Sequence, residues 1–179
     1  MFCQCGAING GFLKFYSNNA IILRMENPEL DKIDRIILAE LQRDCRQPIA
    51  ELAQKAGLSA SSAHRRVKIM EEAGVISGFG ATLNRQAIGF EIEFFVEVSL
   101  TQQSEEAFNK FEQAVLRVPE ILECHLMSGN ADYMLRVAAA DAADYERIHR
   151  GKISRLPGVQ RIISSLALRT VKGWSGYPV

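Results

Sequence analysis

The 179-residue sequence has four cysteines, three histidines and no surplus of either charge, and each shortage narrows what the chain can be. Cysteines at positions 3, 5, 45 and 124 do not form a disulfide framework, which points to a reducing, cytoplasmic compartment. Cys3-x-Cys5 supplies two thiolates without further ligands nearby, a poor closed metal site, so no metal is expected. No apolar run approaches the length of a membrane-spanning helix, so no membrane association is expected. Lys plus Arg equals 21 and Asp plus Glu equals 21, so a polyanionic partner has to be met by a local patch and not by the whole molecule. His64, His125 and His149 are far apart in sequence, and none stands beside a strained nucleophile turn. Glu71-Glu72 and Glu105-Glu106 read as solvated helix faces, not acid–base pairs. An enzyme is therefore not expected, and no cofactor.

What is present falls into two halves with different periods. Residues 1–24, "MFCQCGAINGGFLKFYSNNAIILR", lack the continuous apolar core of a secretory signal and read as a poorly ordered extension. Met25 precedes the first regular pattern, as it would if the start had been assigned too far upstream. Residues 25–76 carry helical spacing: Leu30, Ile33, Ile37 and Leu41 on a first helix, then Ile49, Leu52, Ala53 and Ala56 on a short second one. Asp31 and Asp34 favour the start of the first helix. Gly57 suits the left-handed residue after a helix, Ser59 the N-cap of a third, and Gly74 its end. Two helices joined by Gly57-Leu58-Ser59 have the layout of a helix-turn-helix. On the third helix Ala63, Val67 and Met70 face the core, while Ser61, Arg65 and Lys68 centre the opposite face, flanked by Ser62 and His64. Arg66 lies nearer the core boundary. The outer face carries no acid before Glu71, which favours insertion into the major groove of double-stranded DNA over a plain solvated surface. Ser59, Ser61, Ser62, His64, Arg65, Arg66 and Lys68 are the candidate DNA contacts.

Beyond Gly74 the period changes. "VISGFGATLN", residues 75–84, reads as a short glycine-bearing strand, and residues 77–90 as the strand and hinge that link the two halves. Over residues 91–173, "IEFFVEVSL" alternates as a half-buried strand, and Ser104 caps a helix with Phe108, Phe111 and Val115 inward. "ILECHLM" and "DYMLRVA" follow as strands around the turn Ser128-Gly129-Asn130-Ala131. Asp141 caps a further helix, and a last strand runs from about Val159 to Thr170, before a tail at 174–179. Strand, helix, strand, strand, helix, strand packs as a four-stranded antiparallel sheet with both helices on one face, so the chain as a whole is α+β: a three-helix helix-turn-helix unit followed by a ferredoxin-like βαββαβ unit. Phe95, Met134 and Ile163 add apolar area to the open face, which predicts a homodimer through that face.

With both halves placed, the chain resembles the Lrp/AsnC family of transcriptional regulators over about residues 29–173. The stretches that carry the likeness are "LDKIDRIILAELQRDCRQPIAELAQKAGLS", "RRVKIMEEAGVISGFGATLN", "ECHLMSGNADYMLRV" and "LPGVQ". The resemblance implies a DNA-binding helix-turn-helix, an amino-acid-sensing and oligomerisation domain, and dimers that assemble to tetramers or octamers. It implies an effector site around the family's Gly-x-x-Asp-Tyr turn, here Gly129 to Tyr133, with Leu126, Ser128, Gly129, Asn130 and Asp132 as candidate contacts. Its glycine turn offers backbone N–H groups to a carboxylate, and Asp132 is placed to pair with an ammonium or else to brace its own turn. Ser165, Leu166 and Ala167 on the last strand match positions that shape effector response, but they depart from the tyrosine, valine and valine of one family member. That departure puts leucine in doubt as the effector. Ala60, Ser62, Ala63 and His64 also replace residues found in that member, so an operator sequence does not transfer. The alternative expectation is an amino-acid-binding interaction module whose helix-turn-helix no longer binds DNA.

Overall fold

In a computed structural model that describes residues 29–179, the first helix starts at a reciprocal clasp of two carboxylates. The expected extension over residues 1–24, with Cys3 and Cys5, lies outside the described residues. At the start of α1 (Lys32–Arg43), the Asp31 side chain accepts from the Asp34 backbone N–H and the Asp34 side chain accepts from that of Asp31. Two N–H donors at the helix start, those of Asp31 and Asp34, are thereby satisfied. α2 (Ile49–Lys55) and α3 (Ala60–Glu72) follow, and both end in the same way. Gly57 and Gly74 adopt φ of 66° and 72°, and the next N–H closes back on the helix, Leu58 onto Ala53 and Val75 onto Met70. This closure needs a left-handed residue, which glycine adopts without a Cβ penalty. Ile37, Leu52, Ala56 and Met70 form the buried centre, with Ile33, Leu58, Val67 and Val75 packed around it.

The chain divides into two units, one of residues up to Phe79 joined by Ser175–Val179, the other Gly80–Trp174. The closing segment is held within the first unit by Gln42, whose side-chain amide donates to the Tyr177 carbonyl at 3.0 Å and accepts from its N–H at 2.6 Å.

The second unit contains β1 (Ile92–Leu100), α4 (Glu105–Val115), β2 (Ile121–Leu126), β3 (Tyr133–Ala139), α5 (Ala142–Gly151) and β4 (Val159–Leu166). The sheet order is β2-β3-β1-β4, with every pair antiparallel. Val96, Val98, Leu100, Leu135 and Val137 face Phe111, Val115, Tyr145 and Ile148 of the helices and are buried with them. Each such side chain contributes about 1.5–3 kcal/mol, so this layer dominates the unit. Ser104 and Asp141 cap α4 and α5 by accepting the Ala107 and Asp144 N–H groups.

Two expected strand limits need correction. No strand forms over residues 77–84; the segment is irregular up to a short 3-10 turn, Gln86–Ile88. Alternating sequence is not enough where no neighbouring strand offers carbonyls and N–H groups, and Gly78 and Gly80 add backbone entropy to be lost. The last strand ends at Leu166 and not at Thr170, because its partner runs out: the Ala167 N–H donates to the Glu93 carbonyl near the start of β1, and pairing stops there.

Candidate nucleic-acid interface and effector site

α3 presents an exposed face whose chemistry follows from how the helix starts. The Ser59 hydroxyl accepts the Ser62 N–H at 3.2 Å and bonds the Ser62 and Ser61 hydroxyls at 2.9 and 3.1 Å. Ser59 is therefore occupied with capping, and Ser62 is half-buried beside it. Ser61, His64, Arg65 and Lys68 stand in solvent, and the first turn of α3 contains no acid. His64 and Arg65 form no ion pair among the described residues; Lys68 lies 3.6 Å from Glu72, with both side chains about two-thirds exposed. So loose a pair gives way readily to a phosphate.

Arg66 departs from the expected set. Its Nη1 lies 2.8 Å from Asp31 Oδ2 and 2.7 Å from Asp34 Oδ1, so its charge is spent on the start of α1. The side chain is 26% exposed, and its head meets two carboxylates. In the sequence, Asp31 and Asp34 are legible only as complements to the helix dipole. Their partner is 35 and 32 positions away, where no local pattern can show it.

The Gly-x-x-Asp-Tyr turn is built by its last two residues. Asp132 is 8% exposed. One carboxylate oxygen accepts the Leu100 N–H at 2.7 Å and the other accepts Gln103 Nε2 at 2.7 Å. Tyr133 is buried beneath α4 and donates its hydroxyl to Glu112 at 2.8 Å. Burial, and then that bond, push the Tyr133 pKa upward; burial followed by the Glu112 charge pushes the Cys124 thiol up to about 11. Both groups are neutral at ordinary pH and act as packing. Ser128, Gly129 and Asn130 are exposed at the tip, and Leu126 is exposed before it.

With both oxygens engaged, Asp132 has the geometry of a brace. Replacing it by Ala leaves the Leu100 N–H buried without an acceptor, so thermal unfolding should show a loss of about 1–3 kcal/mol. An unchanged melting temperature would show that the carboxylate is free for a ligand instead. Gln103 was not singled out from sequence, and nothing in its local pattern marks it.

The other half of the expected effector set is elsewhere in the sheet. Ser165 pairs with Phe95 and Leu166 with Phe94, while Tyr133, at the turn, pairs with Val98. Two strand spacings and three residues of rise separate Ser165 from the turn, roughly 14 Å. Ala167 lies beyond Leu166, and successive residues of β4 point to opposite faces. A hollow of about 280 Å³ lined by Thr101, Gln102, Ser104, Lys110, Pro157 and Gly158 includes none of the expected effector residues. One chain by itself therefore does not bring Leu126, Ser128, Gly129 and Asn130 together with Ser165, Leu166 and Ala167. Among the described residues, no three His, Cys, Asp or Glu side chains converge on a metal position, and no helix is long and apolar enough to cross a membrane.

Comparison with known proteins adds to this geometry. Residues 30–77 match the family profile described as winged helix-turn-helix DNA-binding, and residues 93–175 match that of the Lrp/AsnC ligand binding domain. The chain is 39% identical over 142 residues to a proline dehydrogenase transcriptional activator of Rhodobacter capsulatus, covering 79% of this chain and 92% of the relative. It is 38% identical over 144 residues to the leucine-responsive regulatory protein of Escherichia coli K12, covering 80% and 88%. A crystal structure of a transcriptional regulator from Neisseria meningitidis in complex with L-methionine superposes with a TM-score of 0.79 at 30% identity, covering 83% of this chain and 96% of that one.

Proposed function

The chain belongs to the Lrp/AsnC family of transcriptional regulators, and from that premise we propose that α3 reads duplex DNA through Ser61, His64, Arg65 and Lys68 while an amino acid held between copies tunes the affinity. The observation that carries the DNA half is the face of α3 itself. It is exposed, cationic, rich in hydroxyls and free of acid through its first turns, and the Gly57-Leu58-Ser59 turn sets it at an angle to α2. Ser59 and Ser62 start the helix and Arg66 is engaged by Asp31 and Asp34, which leaves four side chains to meet the duplex.

The effector half rests on the placement of the candidate residues. A site that uses both the Ser128-Gly129-Asn130 tip and Ser165-Leu166-Ala167 has to be completed by a second chain, which makes ligand binding and assembly one equilibrium. The tip contributes backbone N–H groups to the ligand carboxylate, and Asp132 holds the tip in shape. The L-methionine complex of the Neisseria regulator places methionine in the set of amino acids to test. Dimers, and their assembly to tetramers or octamers, belong to this reading, as does a cytoplasmic location with the DNA. The protein acts by binding, not by catalysis.

Fluorescence anisotropy on a fragment from upstream of its own gene, titrated with and without a panel of free amino acids, tests both halves. Submicromolar binding at moderate salt is expected, shifted several-fold by at least one amino acid. Tight amino-acid binding without DNA binding would favour the interaction-module alternative. DNA binding indifferent to every amino acid, with unchanged sedimentation, would end the sensing half alone.

A further inference from the structure

We propose that Arg66 is a positioning residue of the DNA-reading helix: gripped by Asp31 and Asp34 at the start of α1, it fixes the rotation of α3 about its axis and so aims Ser61, Arg65 and Lys68 without touching DNA itself. The proposal rests on the DNA-binding reading above and adds a residue to its machinery.

The grip is rigid because its two anchors are already tied. One nitrogen, Arg66 Nη1, reaches Asp31 Oδ2 at 2.8 Å and Asp34 Oδ1 at 2.7 Å. The remaining oxygens close the cap of α1, Asp31 Oδ1 accepting from the Asp34 N–H at 2.8 Å and Asp34 Oδ2 from the Asp31 N–H at 3.2 Å. Neither carboxylate can swing aside without opening the helix start. The inner contacts of α3 through Ala63, Val67 and Met70 turn its apolar stripe to the core and so set the rotation coarsely. Charge-assisted hydrogen bonds have direction and set it finely. Rotating a helix by 20° moves a side-chain tip about 8 Å from its axis by roughly 3 Å, the length of a hydrogen bond.

Charge separates this role from a phosphate contact. Two carboxylates around one guanidinium leave a local excess of negative charge, which would repel a phosphate brought to the same spot. The side chains are also partly enclosed, Arg66 at 26% exposure and Asp34 at 14%. The Asp34 N–H, and then Arg66, hold the Asp31 carboxyl below its ordinary range. The Asp31 half of the clasp is thus lost as pH falls through that lowered value and is present near neutrality.

The test compares Arg66→Met and Asp31→Asn with the wild-type chain. Asparagine still caps a helix, so the second variant weakens the clasp and spares the start of α1. Each is titrated with the upstream fragment and with a shuffled duplex at several salt concentrations. For both variants, affinity for the upstream fragment should fall by about tenfold. Affinity for the shuffled duplex and the salt slope should stay put, because Arg65 and Lys68 keep their charges. The double variant should be no weaker than Arg66→Met alone. A phosphate contact gives the opposite pattern: Arg66→Met weakens both duplexes alike and lowers the slope by about one unit, while Asp31→Asn, by releasing the guanidinium, tightens binding. Either result overturns the proposal and leaves DNA binding standing. A wild-type chain that ignores both duplexes sinks the DNA-binding reading itself. Should Arg66→Met lose its helical circular dichroism, the sign of the Asp31→Asn effect decides.

Discussion

Replacing Arg65 and Lys68 together by Ala should weaken binding of duplex DNA by about 2–4 kcal/mol, a thirty- to thousandfold loss. Both side chains extend from the exposed side of α3, three positions apart, and neither supports the fold. Arg65 makes no ion pair among the described residues, and Lys68 has only its loose contact with Glu72. Removing them should change stability by no more than about 0.5 kcal/mol, so unfolding cannot stand in for lost contacts. The salt dependence separates two ways of losing affinity. If both cations meet phosphates, the slope falls by about two units and all sequences weaken alike. If Arg65 meets a base edge, Arg65→Ala alone costs about 1–3 kcal/mol on the preferred sequence and much less on a random one. Unchanged affinity and unchanged slope in the double variant would remove α3 from the DNA and return the helix to the status of a solvated face.

The elements that sequence reveals are those whose determinants are near in the chain. Ser59, Ser104 and Asp141 each cap a helix by accepting the N–H three residues on, and Gly57 and Gly74 each end one at positive φ. Every partner in these motifs lies within five residues, so the pattern is complete in the sequence. Alternation in β1 placed Val96, Val98 and Leu100 inward for the same reason. Strand limits depend on a neighbour supplied from far away, which is why residues 77–84 read as a strand yet form none, and why β4 ends four residues early. The site residues divide along the same line. Ser61, His64, Arg65 and Lys68 are exposed where helical periodicity puts them. Arg66 and Asp132 carry the charge a ligand would want, but each finds partners about thirty positions away that take it up first. A charged residue at the border of a face is ambiguous from sequence for this reason: the same side chain can meet a ligand or hold the scaffold, and only distant contacts decide.

Phe95→Glu should turn the proposed dimer into a monomer and lower DNA affinity by about a hundredfold or more, through the loss of bivalent attachment. Phe95 and Ile163 lie on the open face of the sheet, 43% and 39% exposed, on neighbouring strands. Around them the face is ionic: Arg136 joins Glu123 at 2.6 Å and Glu93 at 3.6 Å, and Arg85 approaches Glu93 at 3.8 Å. A second copy laid on this face buries the two apolar side chains and leaves the ion pairs around them, an apolar centre with a polar margin. A glutamate at position 95 brings a third carboxylate beside Glu93 and Glu97 and would have to be buried without a partner, which two-fold symmetry imposes twice. In the isolated chain the same change is harmless, because the side chain already meets water. Circular dichroism should therefore be unchanged while sedimentation reports half the mass. If two copies pair through this face, two α3 helices share one molecule, and attachment of the second to a neighbouring half-site occurs at high effective concentration. A monomer has one helix, so its affinity falls to that of a single half-site and its salt slope to about half. A variant that stays dimeric would move the interface off this face. A monomer that keeps full affinity would show that one α3 is enough, and the link between assembly and DNA affinity, on which an effector held between copies depends, would have no lever to act on.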